Sequence, residues 1–296
     1  MRIARIRLLL LTAVAVAGAT AAVALGSPTR ATDTTPITQA FAKTGQATSG
    51  HFAFTLKITG GGTAPGTYAL TGSGGYDTAH KTATFTLDLG SLSSVLGGAT
   101  GGVSIPSKLQ VVSDGKAVYV YLPSLASQVR KGAQWVKFTA SAVPSSVTKG
   151  VKPSDFTNID PAKALQQLSA SVTVHKAGSA TVRGTATTHY RVTVDTAKLV
   201  GIVPKAQQAS LKKSLSTLKV KTVPIDVYVS HGGYVRRVSA SLSHLVVQKG
   251  AAPVSLAFQL DLYDFGIHIH VQTPPASKTV SGDALVKQLI PSGTGG

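Results

Sequence analysis

The sequence of 296 residues contains no cysteine and no glutamate. The absence of cysteine excludes disulfide bonds, thiolate metal ligands and a cysteine nucleophile. Because all 11 acidic residues are aspartate, glutamate is also excluded as a general base and as a metal ligand. Aromatic residues make up only 6% of the chain, which leaves few rings for base stacking. We therefore expect no nucleic-acid partner.

Negative charge is scarce as well, since lysine and arginine together number 29 and the net charge is +18. Three of these charges lie in the first seven residues, so the rest of the chain remains strongly basic. This excess of basic over acidic residues favours an anionic membrane surface or an acidic wall polymer as a partner. The hydrophobic content of 43% is enough for a folded core.

The N-terminus has the pattern of an export signal. Arg2, Arg5 and Arg7 precede an uncharged apolar run of 18 residues, and small residues follow at its end. This pattern predicts an export signal over residues 1–26, followed by a polar linker over 27–35. The run is close to the lower length limit for crossing a bilayer, so an uncleaved N-terminal anchor is the alternative. Both interpretations place the chain in the cell envelope or outside the cell.

From residue 51 onwards, apolar residues recur with a period of two, which predicts β-strands. Asp114-Gly115 predicts a hairpin turn. Helical spacing occurs at 36–46, 162–168 and 196–219, and a short helix is predicted in the tail, 277–296. Most strands alternate a polar and an apolar face. We therefore expect an α+β fold, a strongly curved antiparallel half-barrel of about ten strands with helices packed on its concave side.

The segment DFGIHIHVQTPP, residues 264–275, combines several suggestive motifs. Its DFG tripeptide occurs in kinases, but the phosphate loop and catalytic loop of a kinase are missing from the sequence. Gly266 instead predicts a kink in a long last strand, because the apolar residues change from even to odd positions there. His268 and His270 could bind zinc with a third ligand, but spacing identifies none. A solvated strand face is favoured, and no metal site or cofactor is predicted.

Signals for catalysis are weak. The sequence has no G-x-S-x-G motif, and its S-x-x-K matches at 146–149 and 210–213 lack the companion motifs of a hydrolase. Such matches arise easily in a chain rich in serine and lysine. We therefore expect a binding protein rather than an enzyme.

The order of several segments resembles the LppX/LprAFG family of actinobacterial cell-envelope lipoproteins. These segments are LQVVSDGKAVYVYLP, AQWVKF, DPAKALQQL, VRGTATTHYRVTVD, VPIDVYVSHGGYVRRV and LDLYDFGIHIHVQTPP, and the resemblance covers one domain, residues 36–276. It implies a half-barrel similar to that of LolA, with an apolar cavity for acyl chains of envelope lipids or glycolipids. Family members usually carry a lipobox cysteine after the signal. This chain lacks that cysteine, so free secretion or tethering by an uncleaved helix replaces a lipid anchor.

The main functional hypothesis is a carrier or sensor of lipid or glycolipid. The alternative is a basic cell-wall or membrane-surface binding or structural module with a filled core. Inward apolar positions are the candidates for the cavity wall, and plain core is the alternative for each. The strand candidates are Phe52, Phe54, Leu56, Phe85, Leu87, Val192, Val194, Val227, Phe258 and Leu260, and the helical candidates are Leu199, Ile202 and Val203.

Overall fold

The computed structural model describes residues 36–60, 66–90, 107–139, 172–197, 220–245 and 252–282, together with a few positions between 200 and 216. The predicted export signal, the linker, the helix at 162–168 and most of the helix at 196–219 lie outside the described residues. No helix among the described residues is both long and apolar enough to cross a membrane.

Two α-helices and twelve β-strands have both of their ends within these residues. The helices are α1 (Pro36–Gly45) and α2 (Pro123–Val129). The strands are β1 (Ser49–Gly60), β2 (Thr67–Asp77), β3 (Thr82–Asp88), β4 (Lys108–Asp114), β5 (Ala117–Tyr121), β6 (Trp135–Thr139), β7 (Val172–Val182), β8 (Thr185–Asp195), β9 (Thr222–Ser230), β10 (Val235–Leu245), β11 (Val254–Tyr263) and β12 (Thr279–Ser281).

The chain divides into two compact units. The first unit contains α1, the greater part of β1, and β7 to β11. The second unit contains most of β2, the strands β3 to β6, α2, and the chain from Asp264 onwards, which includes β12.

In the first unit, the strands follow the order β1-β11-β10-β9-β8-β7, and the pairs from β11 to β7 are antiparallel. The predicted helix at 36–46 is confirmed as α1. It begins with Pro36, a residue suited to the first turn of a helix. Ile37 and Ala40 lie on the face that packs against a cluster of buried valines from β8, β9 and β10: Val192, Val194, Val227, Val229, Val235 and Val238.

Thr44 joins α1 to the strands of the first unit. Its side chain is fully buried, and its hydroxyl donates a hydrogen bond to the Ala40 carbonyl at 2.7 Å. The same oxygen accepts a hydrogen bond from the backbone N–H of Val235, at the start of β10, at 2.8 Å. One side chain therefore satisfies polar groups on both elements.

In the second unit, the strand order is β12-β6-β5-β4-β3-β2. The pairs from β6 to β2 are antiparallel, whereas β12 is parallel to β6. The predicted Asp114-Gly115 hairpin is confirmed between β4 and β5, with Gly115 at a φ of 83°. Helix α2 packs through Ala126 against Val136 of β6 and Val280 of β12.

Three expectations need correction. The described residues form twelve strands rather than about ten. The last predicted strand does not continue through residue 271, because β11 ends at Tyr263 and the backbone turns at Asp264 (φ 52°) and Gly266 (φ 82°). The N–H of Gly266 donates to the Ser49 carbonyl at 3.1 Å instead of continuing a ladder from β11. The third correction concerns His268 and His270, which were expected on a solvated strand face but lie on a segment without regular secondary structure. β12 forms only after the prolines.

Candidate functional site

Several of the predicted cavity residues lie in the packed interior of the first unit. Val192, Val194 and Val227 belong to the cluster beneath α1. Leu56, Phe258 and Leu260 are also buried, at 3%, 6% and 2% exposure. Phe52 and Phe54 on β1 are half-buried. Leu199, Ile202 and Val203 lie outside the described residues. A direct role in ligand binding remains a prediction for each of these positions.

Phe85 and Leu87 lie in the second unit, on a face with a different character. Phe85 is paired with Val111, Leu87 with Leu109, and Val111 in turn with Val120. Directly paired residues on antiparallel strands point to the same side of the sheet. We call this set the β3–β5 apolar face: Phe85, Leu87, Leu109, Val111 and Val120. All five side chains are half-buried.

Neighbouring positions on the same side of the sheet differ in how far they are covered. On β2, the residues opposite Leu87 and Phe85 are Gly72, which is buried, and Gly74, which is half-buried. Val118, two residues before Val120 and hence on the same side of β5, is 38% exposed. In the first unit, by contrast, strand residues such as Val227 are fully buried, at 1% exposure. The β3–β5 apolar face thus offers aliphatic and aromatic surface that still reaches solvent.

A polar cluster lies at the end of β2 in the same unit. The buried Asp77 accepts hydrogen bonds at one carboxylate oxygen, Oδ2, from Nδ1 of His80 at 2.8 Å and Nδ1 of His268 at 3.1 Å. Its other oxygen accepts the backbone N–H of His80 at 3.1 Å. Burial raises the pKa of Asp77, but these hydrogen bonds outweigh burial and lower the pKa to about 2.

The sequence pattern points to His268 but not to Asp77 or His80. Asp77 and His268 are separated by 191 positions, so no spacing rule connects them. The D-x-x-H spacing of Asp77 and His80 was the one available signal. Within the described residues, these three side chains are the group whose potential ligand atoms all lie within 4.8 Å of one another.

The first unit holds a second charged cluster, centred on Asp261 of β11. Its carboxylate accepts hydrogen bonds from Arg237 Nε at 2.6 Å and Nη2 at 2.8 Å, and from Arg183 Nε at 3.0 Å. The hydrogen bonds to Asp261 raise the pKa of Arg237. Arg183 also lies over the ring of Tyr263, 4.0 Å from its centroid. Because both carboxylate oxygens are satisfied by arginine, this cluster ties the β7–β8 turn to β10 and β11.

Comparison with known proteins gives only structural likenesses. No family model matches the sequence, and no curated protein is significantly similar to it. Among solved structures, the chain is similar to the lipoprotein LppX of Mycobacterium tuberculosis, with 14% identity, a TM-score of 0.40, and coverage of 80% of this chain and 96% of LppX. It is similar to LprF of Mycobacterium bovis, with 12% identity, a TM-score of 0.37, and coverage of 75% and 89%.

A LolA superfamily protein of Nitrosomonas europaea is similar at 9% identity and a TM-score of 0.21, over 76% of this chain and 88% of that protein. LppX and LprF carry the names of the family that the sequence resembles. At these identities, no functional detail of those proteins carries over to individual residues of this chain.

Proposed function

We propose that the chain is an exported cell-envelope protein that binds acyl chains of a lipid or glycolipid, as a carrier or sensor without catalysis. The observation that carries the proposal is the β3–β5 apolar face, whose five side chains are only half-buried. Covering apolar surface gains about 0.8 kcal/mol for each buried CH₂. An acyl chain of about ten buried methylenes therefore gains about 8 kcal/mol before the costs of association.

The position of the face on paired strands supports an elongated apolar ligand. Phe85, Leu87, Leu109 and Val111 form two adjacent cross-strand pairs, and Val120 extends the row to a third strand. Strands lie about 4.8 Å apart, so this row presents roughly 10 Å of continuous apolar surface across the sheet. A flexible methylene chain fits such a surface without needing polar partners along its length.

The test is lipid binding by the purified full chain, measured by mass spectrometry of extracted lipid and by titration with a fluorescent fatty acid. Leu87→Asn is expected to weaken fatty-acid binding, because it places an amide in the middle of the apolar face. Thr86→Asn is the matched control, since the neighbouring side chain on β3 points to the opposite side of the sheet. Absence of bound lipid in both measurements, or equal loss in the two variants, contradicts the proposal.

Export is part of the proposal and rests on the N-terminal pattern of arginines and apolar residues. Cell fractionation is expected to place the chain in the envelope or the medium. N-terminal sequencing of the recovered chain distinguishes a cleaved signal, with a start near residue 27, from an uncleaved anchor. Recovery of the whole pool from the cytoplasm would remove this part of the proposal.

The net charge of +18 favours a second candidate, a basic module that binds a wall polymer or an anionic membrane surface and has a filled core. This candidate predicts binding to anionic vesicles without uptake of fatty acid. The two candidates are therefore separated by the Leu87→Asn experiment, in which only the acyl-chain binder is affected.

A further inference from the structure

The geometry points to a binding site for a divalent transition-metal ion, with zinc as the best-suited ion, formed by Asp77, His80 and His268. This site is separate from acyl-chain binding. The three side chains come from two distant parts of the chain, and both belong to the second unit. Two imidazole nitrogens and one carboxylate oxygen are a donor set that zinc commonly takes, and the chain has no cysteine to offer a softer one.

The distances fit a small ion. In a tetrahedral zinc site with bonds of about 2.0–2.1 Å, neighbouring donor atoms lie about 3.3 Å apart. The Nδ1 atoms of His80 and His268 lie 2.8 and 3.1 Å from Oδ2 of Asp77. One potential ligand atom from each of the three residues lies within 4.8 Å of the other two, so rotation of the rings can bring the set to the zinc spacing. In the metal-bound arrangement each imidazole carries its hydrogen on Nε2, which leaves the Nδ1 lone pair for the ion.

Two of the ligands are held in place by their own short segment. Asp77 ends β2, where it is paired with Thr82 of β3. The turn between these strands carries His80, whose backbone N–H is bound to the Asp77 carboxylate at 3.1 Å. Asp77 is 4% exposed, so its carboxylate has a fixed position. Asp77 and His80 therefore present two donor atoms before any ion binds.

The third ligand, His268, is positioned by its neighbour Ile269, which is packed into the second unit. Ile269, next to His268, is buried at 5% exposure. A Cβ at Gly75 would lie 2.8 Å from Cδ1 of Ile269, so the glycine provides the room for that side chain. The hydroxyl of Thr82 donates to the Ile269 carbonyl at 3.4 Å. With Ile269 directed into the unit, His268 is directed to Asp77.

The exposed sides of the two rings leave access for the ion and for a further ligand. The His80 side chain is 60% exposed and that of His268 is 49% exposed. Water or a donor from solution can therefore complete the coordination, as in zinc sites with three protein ligands. An ion bound here joins the β2–β3 turn to the segment around His268.

The test uses the full chain without a polyhistidine tag, stripped with EDTA and titrated with ZnCl₂ by isothermal calorimetry. One saturable zinc ion per chain is expected. His80→Ala and His268→Ala are each expected to weaken zinc binding at least about tenfold, because each removes a ligand. Both side chains are largely exposed, so the variants are expected to keep the fold, which circular dichroism checks.

His189→Ala is the matched control. His189 also pairs with an aspartate, at 2.7 Å from Asp226, and the pair lies in the first unit. Within the part of the chain that the structure describes, no second imidazole completes a three-ligand group there. Its removal is expected to leave zinc affinity unchanged. Co²⁺ supplies an independent readout, since its visible absorption bands in the bound state are expected in the parent chain and lost in His268→Ala.

Thermal unfolding provides the third measurement. A ligand that binds only the folded state raises the midpoint of unfolding with its concentration. Zinc is expected to raise the midpoint for the parent chain and for His189→Ala, but not for His268→Ala. The proposal is overturned by the absence of saturable zinc binding, or by equal zinc affinity in the parent chain and both ligand variants.

Discussion

Gly60, the last residue of β1, occupies a position with a strict steric requirement. Its φ is 84°, and a Cβ at this position would lie 2.7 Å from the carbonyl oxygen of Pro253, a backbone atom. We expect Gly60→Ala to lower the free energy of unfolding by about 2–3 kcal/mol, from left-handed backbone strain and the clash together. Denaturant unfolding measures this change.

Gly184 offers a control for that prediction. It also has a positive φ, 77°, but a Cβ there would meet nothing within 4 Å. Gly184→Ala is expected to cost only the backbone strain, about 1 kcal/mol. Equal losses for the two substitutions would show that the close approach to Pro253 contributes nothing.

Asp114 makes the β4–β5 hairpin sensitive to pH. Burial raises the pKa of Asp114, but other interactions outweigh burial and lower this pKa. They are hydrogen bonds from the backbone N–H groups of Lys116 and Ala117 and from the hydroxyl of Tyr119, together with the charge of Lys137. A carboxyl with a lowered pKa stabilises the fold above its unfolded pKa of about 3.9, and this contribution is lost as pH falls through the folded pKa.

We therefore expect Asp114→Asn to be less stable than the parent chain by about 1 kcal/mol at neutral pH. The difference is expected to shrink as the pH falls below about 4. Denaturant unfolding at a series of pH values measures it. A difference that stays constant down to pH 2 would mean that ionisation of Asp114 does not stabilise the hairpin.

At the scale of elements, the contact between α1 and β10 depends on Thr44. Thr44→Val keeps the shape of the side chain but leaves the buried N–H of Val235 without its acceptor. We expect a loss of about 1–3 kcal/mol in the free energy of unfolding. Thr59→Val is the control, because the Thr59 hydroxyl is exposed on β1 and its contact with Thr67 is long, at 3.4 Å. A similar loss at Thr59 would argue against a special role for Thr44.

The elements that could be predicted are those with a local signal. The period of two identifies strands such as β9 and β11, and Asp114-Gly115 identifies the β4–β5 hairpin because its glycine tolerates positive φ. Helix α1 was predictable from Pro36 and the spacing of Ile37 and Ala40. Each of these signals is contained within a few residues.

The elements that were missed depend on distant partners. The short α2 is stabilised by packing of Ala126 on Val136 and Val280 rather than by an internal pattern. The end of β11 depends on a left-handed Asp264, whose side chain lies 3.0 Å from His51. The Asp77–His268 contact was also missed because the two residues are 191 positions apart in the sequence. Parity predicted both Phe85 and Val227 as inward residues, but it could not distinguish the half-buried side chain of Phe85 from the fully buried one of Val227.

At the scale of the whole molecule, the net charge of +18 predicts binding to anionic surfaces. Binding to vesicles that contain phosphatidylglycerol is expected to weaken as salt rises, since the Debye length falls from about 10 Å at 0.1 M to about 3 Å at 1 M. Fatty-acid binding is expected to persist at the same salt concentrations, because burial of methylenes is not screened. Cosedimentation with anionic and neutral vesicles measures the first effect. Salt-insensitive binding to both vesicle types would contradict it.

The parallel pairing of β12 with β6 has a consequence for the order in which the chain folds. Trp135 and Val136 on β6 pair with Thr279 and Val280, which are synthesised much later. Until that part of the chain has emerged, the β6 edge lacks its partner strand, and a free edge can pair with another chain. Arg130 then lies within 2.9 Å of the carbonyls of Ala276, Ser277 and Thr279, and so fastens the late segment when it arrives. A chain in which β12 has not yet formed is therefore expected to leave this edge of β6 available for pairing with another chain.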